Sequence, residues 1–209
     1  MISNAIIRRL PRYRRYLGQL QRQGVQKISS NELSALIGFT ASQIRQDFNT
    51  FDNFGQQGYG YSVDYLYSEI NKILGLDREY KTVLVGVGNM GQAITNYNYY
   101  YKVGFNIIGL FDSNPKLIGN TINDVVIKDV SELEDFVKEN GIDVGIICVG
   151  RNNAQEVADM LVNAGVSGIW NFAPIDLEVP DTVALESVHL SDSLHTLAFK
   201  IKTNEESKK

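Results

Sequence analysis

Three glycines, Gly86, Gly88 and Gly91, have the spacing G-x-G-x-x-G directly behind the apolar run TVLV, and Asp112 ends the next apolar run, FNIIGLFD, 21 residues after Gly91. That spacing suits a pyrophosphate. The first glycine permits a tight turn, the second lets the backbone approach the ligand, and the third lets a helix pack close to a strand. Asn89 and Met90 lie in the same turn, where helix N-terminal amides face an anion. A carboxylate at Asp112 can accept both hydroxyls of an adenosine ribose and repels a 2′-phosphate, which favours NAD(H) over NADP(H). The same aspartate also begins the turn sequence DSNP, which is an ordinary structural reason for its presence.

A glycine turn of this kind usually serves a dehydrogenase, which also needs a proton donor or acceptor and a substrate pocket. His189 and His195 are the only histidines and both lie near the C-terminus. No Ser-Tyr-x-x-x-Lys arrangement and no metal-ligand spacing occurs, so the sequence offers no catalytic residue, no metal site and no small-molecule substrate site. Cys148, the single cysteine, sits in the apolar run IICV, as a buried small hydrophobe or a reactive thiol. One cysteine excludes an intrachain disulfide and suits a reducing cytoplasm. No apolar run approaches the roughly 20 residues of a membrane span, and the basic N-terminus lacks the apolar centre of a signal peptide. The expectation is a cytoplasmic protein without a membrane partner.

The elements that must hold the turn form an alternating series. After TVLV and the glycine turn come a helix, the strand FNIIGLFD, a helix near residues 131–140, the strand DVGIICV, a helix over 152–164 and the strand GIWNF. This is the pattern of a Rossmann-type α/β body.

Charge divides the chain differently. The net charge is -4, yet residues 1–60 carry eight basic against three acidic side chains, and the remainder twelve against twenty-one. A basic head on an acidic body points to two domains, the first with a polyanion as partner or simply with a charged solvated face. In the head, Ile6, Leu10, Tyr13, Leu17 and Leu20 share one helical face, interrupted at Pro11. Ser29 with Glu32 and Thr40 with Gln43 have capping-box spacing, and Gly38 ends the short helix between them. Two helices joined by a tight turn make a helix-turn-helix signature. Ile44, Phe48 and Phe51 must face the core, leaving Ser42, Gln43, Arg45, Gln46 and Asn49 outside. Such side chains hydrogen-bond base edges and phosphates, although an ordinary amphipathic helix has the same pattern. The stretch FGQQGYGYS then reads as a hairpin wing, with Gln57, Gly58, Tyr59 and Gly60 near DNA and Tyr61 packed beneath; a further amphipathic helix starts at Ser62.

A winged head, a dinucleotide fold and the segment NFAPIDLEVPDTVALESV together resemble the Rex family of redox-sensing transcriptional repressors, over nearly the whole chain. The resemblance implies an N-terminal winged helix-turn-helix domain over residues 1–77, a Rossmann domain over 78–188, and a dimerisation helix and tail over 189–209 exchanged between subunits. It implies a homodimer that binds palindromic operator DNA, is released by NADH and is opposed by NAD+. Arg12 and Arg45, with its neighbours on the second helix, become DNA contacts. Tyr97 senses the nicotinamide end, and Val149, Gly150, Asn171, Phe172, Ala173 and Pro174 border its pocket. Tyr99, Tyr100 and Tyr101 are expected to pack.

Three positions depart from the family pattern. Gln56 and Gln57 stand where the wing usually carries a basic residue, Val149-Gly150 stands for Val-Pro, and His189 stands for an aspartate that pairs with an arginine matching Arg15. Asp192 is a possible substitute for that aspartate. Leu190, Leu194, Leu197, Ala198 and Ile201 form an apolar stripe suited to a partner chain, and TNEESKK is expected to be disordered. The alternative reading is a small NAD-dependent oxidoreductase with an accessory helical domain.

Overall fold

The computed structural model describes residues 3–51, 60–97 and 99–207. The chain divides between Arg78 and Glu79 into two compact units.

The first unit contains α1 (Asn4–Ile7), α2 (Leu10–Arg22), β1 (Lys27–Ile28), α3 (Ser30–Ile37), α4 (Ala41–Asn49), β2 (Tyr61–Ser62) and α5 (Val63–Ile73). Pro11 occupies the first turn of α2, where a missing N–H breaks no helical bond, so α1 and α2 are separate helices. Ile6, Leu10, Tyr13, Leu17 and Leu20 are buried together with Leu33, Ile37, Ile44 and Phe48. The first capping box is complete, with Ser29 and Glu32 exchanging side-chain and backbone bonds. The second is only half formed. Thr40 Oγ1 accepts from the Gln43 amide, but the Gln43 side chain turns instead to Asp47. β1 pairs antiparallel with β2, Ile28 opposite Tyr61, a ladder too short to show as alternation in the sequence. The proposed wing contacts Gln57, Gly58 and Tyr59 lie outside the described residues; Gly60, at φ 73, leads into β2.

Asp47 holds this unit together in a way its sequence neighbourhood does not announce. Its side chain is 1% exposed. Arg9 donates to it from Nε and Nη2, both at 2.7 Å, the Tyr13 hydroxyl donates at 2.7 Å and Gln43 Nε2 at 3.0 Å. Burial pushes the Asp47 carboxyl up, but these donors outweigh burial and hold it below the usual carboxylate range. Burial and the bond to Asp47 raise the Tyr13 phenol.

The second unit is a seven-stranded sheet. Its strands are β3 (Tyr80–Val85), β4 (Phe105–Asp112), β5 (Thr121–Ile122), β6 (Val125–Asp129), β7 (Val144–Ile147), β8 (Gly168–Asn171) and β9 (Ala184–Ser187), in the spatial order β5-β6-β4-β3-β7-β8-β9. All neighbours are parallel except the β5–β6 hairpin, so β6-β4-β3-β7-β8-β9 is the 3-2-1-4-5-6 order of a Rossmann sheet. The order reverses between β4 and β7 on either side of β3, and the C-terminal ends of these three strands frame the crevice. The helices are α6 (Asn89–Thr95), α7 (Tyr99–Lys102), α8 (Leu133–Asn140), α9 (Arg151–Ala164) and α10 (Leu190–Glu206). Gly145 admits α9: a Cβ there would lie 2.5 Å from Leu161 Cδ1.

Two expectations are corrected. A 3-10 turn over Val130–Glu132 precedes α8, so the α-helix itself starts at Leu133. The segment TNEE, expected to be disordered, continues α10 to Glu206, because adding turns to an existing helix costs little once it is nucleated.

Asp47→Ala should lower stability by about 1–3 kcal/mol, the cost of leaving the buried Tyr13 hydroxyl without its acceptor. Because the folded Asp47 carboxyl titrates below its ordinary value, the network adds stability at neutral pH and loses it as pH falls through the range where Asp47 protonates. Hydrogen exchange of the α4 amides between neutral and acid pH checks this: wild-type protection should fall with pH, and the variant's should begin low and change little.

Candidate cofactor crevice and nucleic-acid interface

The three glycines of the turn are required for three different reasons. Gly86 has φ 95, and a Cβ there would stand 2.7–2.8 Å from the Cys148 carbonyl group and the Val149 nitrogen. At Gly91 a Cβ would collide with the Gly86 carbonyl, so α6 could not lie this close to β3. At Gly88 a Cβ would meet nothing within 4 Å. The space it leaves is open crevice, where a ligand's phosphates can reach the backbone. Gly88 is also the N-cap of α6 and supplies no side-chain acceptor, so the amides at Asn89 and Met90 stay available to an anion.

Asp112 reaches this turn from the end of β4. One carboxylate oxygen accepts from the Val87 amide at 2.7 Å and the other from the Asn114 amide at 2.8 Å. The turn-forming role and a position beside the glycine loop therefore hold together. Each oxygen keeps a further lone pair for ribose hydroxyls.

On the other side, Cys148 directly follows β7, and burial pushes its thiol up to about 12. Val149 is half-buried, and Gly150 caps α9. Asn171 is fully buried, and its amide is engaged with its own loop: Oδ1 accepts from the Ala173 amide at 2.8 Å and Nδ2 donates to the Ile175 carbonyl at 2.9 Å. It shapes the turn, and Ala173 is buried with it, so Phe172 and Pro174 carry the accessible surface of this segment.

Tyr97 follows α6 and is 55% exposed. Its ring lies 5.2 Å from Tyr100, Tyr100 lies 5.3 Å from Trp170, and Trp170 lies 4.5 Å from Phe172, all edge-on. A ladder of aromatic rings thus runs from the end of α6 to the end of β8. Tyr100 packs as expected, whereas Tyr99 and Tyr101 keep exposed faces. Sequence reasoning passed over Asn123, whose side chain donates to the Thr95 carbonyl at 2.8 Å and ties the β5–β6 turn to the end of α6. The consecutive left-handed residues Asn123 and Asp124, at φ 49 and 64, mark a tight hairpin, for which the dipeptide was the available signal.

His189 is the N-cap of α10, and its Nε2 lies 3.2 Å from Asp176 Oδ1; Asp192 is in the first helical turn. Every residue of α10 from Leu190 to Glu206 is exposed, including the stripe Leu190, Leu194, Leu197, Ala198 and Ile201. Among the described residues, no group of three or more His, Cys, Asp or Glu side chains could hold a metal, and no helix is long and apolar enough to cross a membrane.

In the first unit, Ser42, Gln46 and Asn49 are exposed on the side of α4 away from Ile44 and Phe48. Gln43 and Arg45 flank this face. Gln43 is bonded to Asp47, and Arg45 Nη1 donates to Ser30 Oγ at 3.0 Å. Arg12 is exposed, with its guanidinium 5.0 Å above the Phe39 ring in the turn before α4.

Comparison with known proteins agrees with this division. A family model described as "CoA binding domain" matches residues 77–175, and one described as "Putative DNA-binding protein N-terminus" matches residues 1–49. A curated relative from Clostridium perfringens, the redox-sensing transcriptional repressor Rex, is 58% identical over 204 residues, covering 98% of this chain and 96% of the relative. The chain belongs to the Rex family. Three crystal structures of RSP, a Rex-family repressor, match over all of this chain. The complex with NAD+ and operator DNA has a TM-score of 0.93 at 56% identity and 96% coverage of RSP, and the complex with NADH has 0.91 at 54% identity and 98% coverage. Rex proteins are regulators of transcription rather than enzymes, so the oxidoreductase alternative is not favoured.

Gly91→Ala should destabilise the second unit by about 1–3 kcal/mol, as overpacking does, because its new methyl group meets the Gly86 carbonyl. Gly88→Ala, at φ -73 and facing open space, should stay within about 0.5 kcal/mol of wild type. Thermal unfolding of the two variants separates the packing glycine from the one that faces the crevice.

Proposed function

We propose that this chain represses transcription as a cytoplasmic homodimer, holding a palindromic operator when NADH is scarce and releasing it when NADH binds. The observation that carries this reading is the full-length match to RSP, which is known both with NAD+ and operator DNA and with NADH. The parts divide as a DNA-binding head over residues 1–77, a dinucleotide domain over 78–188 and a dimerisation segment over 189–209. The exposed apolar stripe of α10 supports the last of these, since a partner chain would remove it from water.

In the dinucleotide domain, the Gly86–Gly91 turn receives the pyrophosphate and Asp112 the adenosine ribose. Val149, Gly150, Phe172 and Pro174 border the nicotinamide, and Asn171 with Ala173 holds that border in place. Tyr97 senses the ring. The oxidised nicotinamide is cationic and the reduced one neutral and puckered, so a tyrosine beside it feels a different field and shape in the two states. Because Tyr97 leads through Tyr100 and Trp170 to Phe172, a displacement at one end of the crevice is felt at the other. In the head, α4 enters the major groove, Arg12, Gln57, Gly58, Tyr59 and Gly60 supply further DNA contacts, and the two heads of a dimer must stand about one DNA turn, roughly 34–36 Å, apart. NADH can act on DNA only by favouring a dimer geometry that the operator does not.

NADH should weaken operator binding, and operator DNA should weaken NADH binding by the same factor, about 5–150-fold for a coupling of about 1–3 kcal/mol. Gel shifts with and without saturating NADH, paired with NADH titrations with and without operator, test this; equal operator affinity in both states sinks the sensor reading. Asp112→Asn should lower the preference for NADH over NADPH, since it removes the charge that repels a 2′-phosphate but keeps a carbonyl acceptor beside Val87. Direct titration with both cofactors measures that ratio.

A further inference from the structure

We infer that Gln46 reads an adenine in each operator half-site. The inference rests on the operator-binding reading above and deepens it. Residues 42, 46 and 49 recur at i, i+4 and i+7, and in α4 all three are exposed, opposite the buried Ile44 and Phe48. No side-chain hydrogen bond engages Ser42, Gln46 or Asn49 among the described residues, whereas the polar side chains to either side are engaged. Gln43 is held by Asp47, and half-buried Arg45 by Ser30. Asp47, the only carboxylate on α4, is buried beneath three donors. The reading face of this helix is therefore uncharged and consists of one hydroxyl and two carboxamides.

The chemistry of a carboxamide selects the base. Its carbonyl oxygen and N–H₂ group lie side by side in one plane, as one acceptor and one donor. Adenine presents the complement in the major groove, an N6 donor beside the N7 acceptor. Guanine presents two acceptors and is the target of arginine or lysine, neither of which stands on this face. Of the two carboxamides, Gln46 lies between Ser42 and Asn49, has the longer side chain and sits a turn nearer the N-terminal end, from which recognition helices reach base edges. Asn49 is the last residue of α4 and lies at its edge.

The test selects duplexes from a randomised DNA library with the full-length protein and with Gln46→Ala, both without NADH. Gln46 is exposed, so the variant keeps the wild-type fold, which circular dichroism checks. The wild-type consensus should contain an adenine, once per half-site, whose preference the variant loses while keeping the rest of the consensus. Replacing that base pair should weaken wild-type binding roughly 5- to 150-fold, which is about 1–3 kcal/mol for a bidentate pair at 1.4 kcal/mol per tenfold. It should leave the variant nearly unaffected. Substituting 7-deazaadenine, which lacks only the N7 acceptor, should likewise weaken the wild type and spare the variant. A variant consensus identical to the wild type, or a lost preference for another base, overturns the assignment while operator binding stands. If the wild-type protein enriches no duplex, operator binding itself fails, and the assignment falls with it.

Discussion

The second unit depends on how closely α6 can approach the end of β3. A Cβ at Gly91 would occupy the place of the Gly86 carbonyl, and a Cβ at Gly86 would meet the backbone of Cys148 and Val149. Backbone therefore packs on backbone at the point where the strand order reverses. The Asp112 carboxylate closes the remaining gap by accepting from Val87 on one side and Asn114 on the other. Helix, turn and two strand ends become one rigid floor. On that floor the space at Gly88 is left open because everything around it is filled.

The first unit solves a different problem with another carboxylate. Ile44 and Phe48 bury one face of α4 in the apolar core, and Asp47 adds a polar anchor beneath the same helix. A buried carboxylate of this kind adds less stability than its short bonds suggest, because desolvation offsets much of their energy. Its effect lies in orientation. Arg9 at the N-cap of α2 and Tyr13 within it meet one side chain of α4, so the helix has one favoured rotation about its axis, and Ser42, Gln46 and Asn49 face outward together.

What could be read from the sequence followed the range of the interactions involved. The glycine turn, the Ser29–Glu32 box and the amphipathic face of α2 depend on residues within a few positions of one another, and all could be read directly. The parallel strands showed as continuous apolar runs because both faces of the sheet are covered. Asp47 could not be read, since Tyr13 and Arg9 lie 34 and 38 positions away and an aspartate on a polar helix normally faces water. Asn171 was expected at the crevice border, whereas its bonds to Ala173 and Ile175, which fix its own loop, depend on the fold and could not be read. The two-residue strands β1, β2 and β5 are shorter than any periodicity can reveal.

The half-buried thiol of Cys148 bears on how such a chain can respond to redox conditions. With its pKa pushed up to about 12, the thiolate that would attack peroxide or a disulfide is scarce at neutral pH. This is the only cysteine, so the chain has no second thiol to resolve a sulfenic acid into an internal disulfide. A response carried by exchanging one dinucleotide for another leaves no covalent mark on the polypeptide. No reductase is needed to reset it, and recovery is as fast as the ligand leaves.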